Sequence, residues 1–195
     1  MKEPEGILMK EPEGFLMKEP EGFLMGGAFG IRQAVFTVGD PARFLDRLRR
    51  LGARYRTRIV CLDADRLAGQ AHARAAIRAA LRSVATGNPI ANTLEMEVLL
   101  YAAGSRQCSV ATRFGIHEGR NTSYVILAPP EEAAWDALAG CMEFVEEDWD
   151  RITGKKRRWL AEAFGITDEE LAAAGGADRF RDLVLERVAL LDVSR

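Results

Sequence analysis

At Asp40-Pro41 the chain changes its apolar period, and that switch constrains the fold more than any other local feature. Upstream, Ile31 to Val38 alternates apolar residues with Arg32 and Thr37, the period of two expected of a strand. Downstream, Asp40 supplies a side-chain cap, and Pro41 fills the first helical position, where a missing N–H costs nothing. The helix so opened carries Phe44, Leu45, Leu48 and Leu51 on one stripe and ends near Gly52, with Arg43, Arg47 and Arg50 directed elsewhere. A strand followed at once by an amphipathic helix can bury both apolar surfaces only in a layered fold that mixes the two.

The remaining pattern repeats that mixture. Thr57 to Leu62 reads as a second strand, and residues 64–86 as a long Ala-rich helix stopped by Gly87, Asn88 and Pro89. Thr93 caps a helix from Leu94 to Ala103, ended by Gly104; Ser105 caps another from Arg106 to Phe114, ended by Gly115. Thr122 to Leu127 is a third strand. Pro129-Pro130 opens a helix with Glu131 and Glu132 in its first turn, where the dipole favours acids. Beyond the acidic residues Glu143, Glu146, Glu147, Asp148 and Asp150 come an amphipathic segment, Lys156 to Phe164, and the capping-box run Thr167-Asp168-Glu169-Glu170. A last helix, Asp178 to Leu191, presents Phe180, Leu183, Val184, Val188 and Leu191 on one face. The expected fold class is α/β in the α+β sense: a single mixed or antiparallel sheet packed with several helices, and a helical C-terminal part. The pattern does not order the strands.

Ahead of this domain stand MKEPEGIL, MKEPEGFL and MKEPEGFL, followed by Met25. Each unit holds a proline, a glycine and few large apolar residues, so residues 1–25 are expected to be a disordered octapeptide-repeat tail. Translation from Met1 and from Met25 are both compatible with this reading. Residues 26–195 form one globular domain in this reading. Its charge is uneven: 26–128 holds 15 Lys+Arg against 7 Asp+Glu, whereas 129–195 holds 9 against 16. A basic body, 26–128, and an acidic helical part, 129–195, suit two different partners, a polyanion and a protein.

Several function classes find no support. Hydrophobic residues are 48% and charged residues 29%, as in soluble globular chains, and no run approaches the roughly 18 apolar residues of a membrane span. The acidic N-terminus does not resemble a secretory signal, so the expected location is cytoplasmic. Cys61, Cys108 and Cys141 are widely spaced, there is no C-x-x-C pair, and only His72 and His117 accompany them; no metal site or disulfide framework is expected, and the thiols are read as buried and free. The glycine cluster Gly26-Gly27-Ala28-Phe29-Gly30 precedes a strand, whereas a phosphate-binding loop must follow one. Neither histidine stands beside a nucleophile elbow, and both are read as solvated surface residues. No catalytic residue, cofactor or small-molecule substrate is expected.

The arginines point elsewhere. Arg43, Arg47, Arg49, Arg50, Arg54, Arg56 and Arg58 crowd one stretch, and Arg74, Arg78 and Arg82 recur every four residues on one helical face. Guanidinium groups bind phosphate bidentately, so both groups suit a nucleic-acid backbone, although a solvated face in an arginine-rich chain explains them equally. The sharpest segment is Leu99 to Ile116, in which Gly104-Ser105-Arg106-Gln107 stands between two helices. Backbone N–H groups at a helix start, with an Arg and a Gln beside them, fit a phosphate or a base edge.

That segment resembles the small subunit of the KEOPS tRNA-modification complex of archaea and eukaryotes, whose human counterpart is the PRPK-binding protein. The family's stretch is similar to an acidic helix, then Gly-(Ser/Thr)-Arg-Gln-Ile, then Ala-x-x-x-Phe-Gly-Ile. Here it reads Leu94-Glu95-Met96-Glu97, Gly104-Ser105-Arg106-Gln107-Cys108 and Phe114-Gly115-Ile116, with Cys108 where the family has isoleucine. A second likeness, Phe164-Gly165-Ile166-Thr167 and then Leu185-Glu186-Arg187-Val188-Ala189-Leu190-Leu191-Asp192, follows in the same order. The resemblance spans roughly residues 30 to 195 and leaves out the repeats. It implies a non-catalytic subunit that binds the single-stranded CCA end of tRNA and contacts the complex's small kinase/ATPase. Through that partner it serves the subunit that attaches a threonylcarbamoyl group to adenosine. By motif position Gly104, Ser105, Arg106, Gln107 and Cys108 form the tRNA-end site; Arg113 adds backbone charge, as Arg74, Arg78 and Arg82 do on their helix. Tyr101 is a core residue or a stacking platform.

Two rival readings remain. Helix, turn, helix and strand also describe a winged helix-turn-helix regulator of duplex DNA. A scaffold that touches only protein would carry the same arginines without binding RNA.

Overall fold

The computed structural model describes residues 28–193, so the octapeptide tail lies outside the described residues. Four strands, β1 (Gly30–Val38), β2 (Arg58–Asp63), β3 (Gly119–Ala128) and β4 (Glu143–Val145), form one sheet in the order β2-β3-β1-β4. Every pairing is antiparallel. β3 therefore lies between β1 and β2, which run in the same direction and are joined by helix α1 (Pro41–Tyr55).

The side-chain alternation of β2 and β3 divides the interior in two. Ile59, Cys61, Val125 and Leu127 face α1 and α5 (Glu132–Ala139), where Leu48, Trp135 and Leu138 complete one core. Val60, Leu62, Tyr124, Ile126 and Ala128 face the opposite way. There they meet α2 (Gln70–Ala85), α3 (Leu94–Ala103), α4 (Cys108–Ala111), α6 (Gly154–Phe164), α7 (Asp168–Ala173) and α8 (Phe180–Val193). The result is helix, sheet and helix in three layers. A strand buried on both faces reads as a continuous apolar run, which is why Ile59–Leu62 and Tyr124–Ala128 lack polar alternation.

Asp40 and Pro41 act as expected: the Asp40 carboxylate accepts the Arg43 N–H at 3.1 Å, and the helix starts at Pro41. Beyond shifts of a few residues at other ends, with α1 running on to Tyr55, β3 starting at Gly119 and α5 at Glu132 instead of Pro129-Pro130, three differences from the sequence reading stand out. The Ala-rich helix begins at Gln70, because the Asp63 carboxylate caps a separate 3-10 turn, Ala64–Arg66, and Gly69 turns the chain at φ +94°. The helix expected over 106–114 is a single α-turn, Cys108–Ala111, running into a 3-10 turn, Thr112–Phe114, since Gln107 keeps an extended backbone. β4, three residues long at the sheet edge, was read only as acidic sequence. Among the described residues no helix is long and apolar enough to cross a membrane.

Candidate nucleic-acid interface at the Gly104 turn

The turn between α3 and α4 is an exposed tip on a buried base. Its base is set first by helix capping: Thr93 Oγ1 accepts the Met96 N–H at 3.3 Å and starts α3. One turn in, Glu97 is fully buried, and its carboxylate accepts the Ala91 N–H at 2.7 Å, the Ile90 N–H at 2.9 Å and the Ser83 hydroxyl at 2.8 Å. A buried carboxylate persists only with such partners, and these tie the 88–93 loop to α2 and α3 together.

The C-terminal end of α3 is held from three sides. Tyr101, fully buried, donates its hydroxyl proton to Asp192 of α8, and Arg82 of α2 reaches the same carboxylate at 3.6 Å. Tyr101 is thus a core residue. His72 contradicts its reading as a surface histidine: it is fully buried, with Nε2 at 2.9 Å from the Ala102 carbonyl and Nδ1 accepting the Ala68 N–H at 3.2 Å. Those bonds call for the neutral ring protonated on Nε2. Burial pushes its pKa down to about 4; the bond to Ala102 opposes the shift and the Lys156 charge adds to it. Gly104 closes α3 at φ +55°, with its N–H on Tyr101 O and the Ser105 N–H on Leu100 O at 3.1 Å. A Cβ on Gly104 would stand 3.2 Å from Phe164 Cε1 and 3.3 Å from the Arg187 carbonyl oxygen, so α6 and α8 close on the turn from behind.

Beyond this base the chain turns outward. Ser105 Oγ accepts the Gln107 N–H at 3.2 Å, and Arg106, Gln107 and Cys108 are exposed. With only four residues α4 offers no helix dipole to an anion; the turn offers its exposed side chains. Between Cys108 and the Glu97-held loop lies a depression of about 300 Å3 lined by Ile90, Ala91, Asn92, Thr93, Met96 and Cys108.

Arg113 is exposed at the end of the same segment, its Cζ 5.4 Å from the Trp159 ring centroid. Arg66 approaches that ring to 5.5 Å, pairs with Asp63 at 3.2 Å and donates to the Arg113 carbonyl. Arg74, Arg78 and Arg82 share one exposed face of α2, as their spacing requires, on the neighbouring helix and not on the turn. Arg82 is already paired with Asp192.

Residues 38–192 match the model of a family described as kinase binding protein CGI-121. The chain belongs to that family. A search of curated proteins found no match. The CGI-121 match begins at the last residue of β1 and takes in every helix through Asp192 of α8, so the turn and all its supports lie within it.

Sequence reasoning missed four contributors to this CGI-121 surface. Trp159 was seen only as part of an amphipathic helix, and its two arginine neighbours come from distant elements. Glu97 looked like one of two acids in a helix start, and only its burial sets it apart from Glu95. Ile90 and Met96 could not be placed beside Cys108 without the path of the loop. The thiols also need correcting: all three are free, but only Cys61 is buried, Cys141 is half-buried and Cys108 is exposed. Cys108 sits at a turn that no core covers. Among the described residues no group of three or more His, Cys, Asp or Glu is placed to hold a metal ion.

Proposed function

We propose that this chain is a non-catalytic subunit of a KEOPS-type complex in the cytoplasm. It binds the single-stranded CCA end of tRNA at the Gly104 turn and docks on a small kinase-like partner. Through that partner it supports threonylcarbamoyladenosine formation by the transferase subunit. The observation that carries the reading is the exposed run Arg106-Gln107-Cys108, entered through half-buried Ser105, on a buried base, next to a depression with Ile90, Ala91 and Met96 in its lining. Single-stranded RNA is recognised by splaying its bases onto apolar or planar groups while cations hold the phosphates. Here the depression suits a base, Arg106 and Gln107 suit its edge or the phosphate, and Arg113 and the α2 arginines suit the following backbone. Membership of a kinase-binding family supports the protein partner, and the acidic 129–195 part supplies a surface unlike the RNA-facing one.

The winged helix-turn-helix reading is weaker, since a recognition helix of four residues cannot lie along a major groove. The test is binding of the purified chain to intact tRNA, to tRNA lacking its CCA end and to duplex DNA, at one fixed salt concentration. Loss of binding on CCA removal, reproduced by Arg106→Glu, is the expected result. Equal affinity for the two tRNAs would refute end recognition, and a preference for duplex DNA would restore the rival.

A further inference from the structure

The arginines of α1 are cut off from the Gly104 turn by the sheet. α1 packs on the face formed by Ala34, Phe36, Ile59 and Leu127, whereas the turn is built on the opposite face. At 3.6 residues per turn, Arg43, Arg47, Arg50 and Arg54 fall within about 60° of arc and along about 16 Å of helix. All four are exposed. The two acids of the segment do not neutralise this stripe: Asp46 pairs with Arg49, which lies off it, at 2.8 Å, and Asp40 reaches only Arg43, at 3.4 Å. Among the described residues Arg47, Arg50 and Arg54 have no acidic partner; Arg54 lies over the Tyr55 ring at 5.3 Å.

Helix stability does not account for such a stripe. Arg43 stands in the first turn, where a cation opposes the helix dipole, and that turn holds no acid. Arg43 and Arg47, Arg47 and Arg50, and Arg50 and Arg54 are like charges at spacings of three or four, each a small repulsion. A polyanion laid along the ridge offsets these repulsions with an attraction to each guanidinium. The apolar face of α1 is largely committed, with Phe44 stacked on Phe36 at 5.1 Å and Leu48 buried; Leu45 alone stays exposed on it, too little to sink into a lipid surface.

We propose that α1 is a second RNA-contact surface, which takes the phosphate backbone of duplex RNA while the Gly104 turn takes the single-stranded end. The choice of RNA rests on the function proposed above; the existence of a second polyanion surface rests on α1 alone. Such contacts carry no sequence information, and they are read through salt dependence.

The experiment uses the full chain and two probes: a blunt RNA duplex of about two turns, and the same duplex with a single-stranded 3′ CCA overhang. Compared with the unaltered chain, Arg47→Gln/Arg50→Gln/Arg54→Gln is expected to reduce the slope of log K against log salt by about 2 to 3, at about 0.9 per phosphate contact. The loss should be the same on both probes. Arg106→Glu should remove only the extra affinity conferred by the overhang. A triple variant with three other exposed arginines replaced, Arg120→Gln/Arg151→Gln/Arg158→Gln, serves as the charge-matched control, and thermal melts establish that all variants are folded. An unchanged slope for the α1 variant, an equal loss in the control, or no binding of the unaltered chain to the blunt duplex would each overturn the proposal. An overhang that adds nothing, with the α1 effect intact, would refute end recognition and leave the α1 surface standing.

Discussion

Gly104 and Gly165 close two helices in the same way, and replacing each by alanine separates two causes of destabilisation. Both are left-handed C-caps, at φ +55° and +62°, each donating its N–H back into its own helix. Alanine at either position meets the cost of placing a Cβ in that region, about 1 to 2 kcal/mol. Around Gly165 nothing lies within 4 Å of the added atom, so Gly165→Ala should cost that amount and no more. At Gly104 the added Cβ also presses on Phe164 at 3.2 Å and on the Arg187 carbonyl at 3.3 Å. Neither can yield cheaply: Phe164 packs edge-on against His72 and Phe114, and the Arg187 oxygen belongs to helix backbone. Overpacking of this kind adds about 1 to 3 kcal/mol. For a chain of this size 1 kcal/mol lowers Tm by about 2 to 4 °C. Gly165→Ala should therefore melt about 4 °C below the parent, and Gly104→Ala about 9 °C below it, in calorimetry at matched pH and salt. Equal losses for the two variants would refute the claim that α6 and α8 close on the turn.

Two further predictions concern buried titratable groups. The His72 pKa of about 4 lies below the unfolded value of about 6.5, so the unfolded chain binds the extra proton. The neutral ring's contribution is complete above about pH 6.5 and drains away as pH falls towards 4, by up to roughly 3 kcal/mol. Urea unfolding across that window should show the parent losing stability more steeply than His72→Gln; parallel curves would contradict the burial argument. Burial pushes the Cys61 thiol to about 12, with Cys141 adding to the shift, whereas Cys108 is exposed. A disulfide reagent should thus meet a fast thiol that Cys108→Ser removes, and should reach Cys61 only on unfolding. Native-state reaction of Cys61 at the Cys108 rate would rule this out.

Local chemistry was the legible part of the sequence. Asp40-Pro41, Thr93 with Gly104, and Thr167 mark helix ends because one side chain or one φ angle decides each of them. A single sheet among helices followed from the periods, but neither its antiparallel pairing nor its order did, since nothing in β1 or β2 says that β3 will enter between them. His72 was misread because its neighbours Arg74 and Arg78 are exposed; the apolar series Ala73, Ala76, Ile77 and Ala80 places it on the buried face. The 106–114 helix was overestimated because Gly115 does end the segment, but Ser105 bonds the Gln107 N–H in a local turn and caps no helix, which starts only at Cys108. The division of the arginines between two faces is a consequence of topology, and no reading of spacing alone could have supplied it.

The position of the candidate site suits what the proposed recognition of a single strand would demand. A flexible RNA end loses conformational freedom on binding, so a site that must also order itself would give up much of the affinity. In this fold the ordering is done beforehand, by groups that cannot touch the ligand: Glu97 holds the loop, His72 and Tyr101 hold the end of α3, and Phe164 and Arg187 back the turn. These groups are buried or backbone, and α2, α3, α6 and α8 each supply at least one of them. On the function proposed above, such a fold would place specificity in a short loop on a buried base and leave charge, which needs no such precision, to long helices on either side of the sheet.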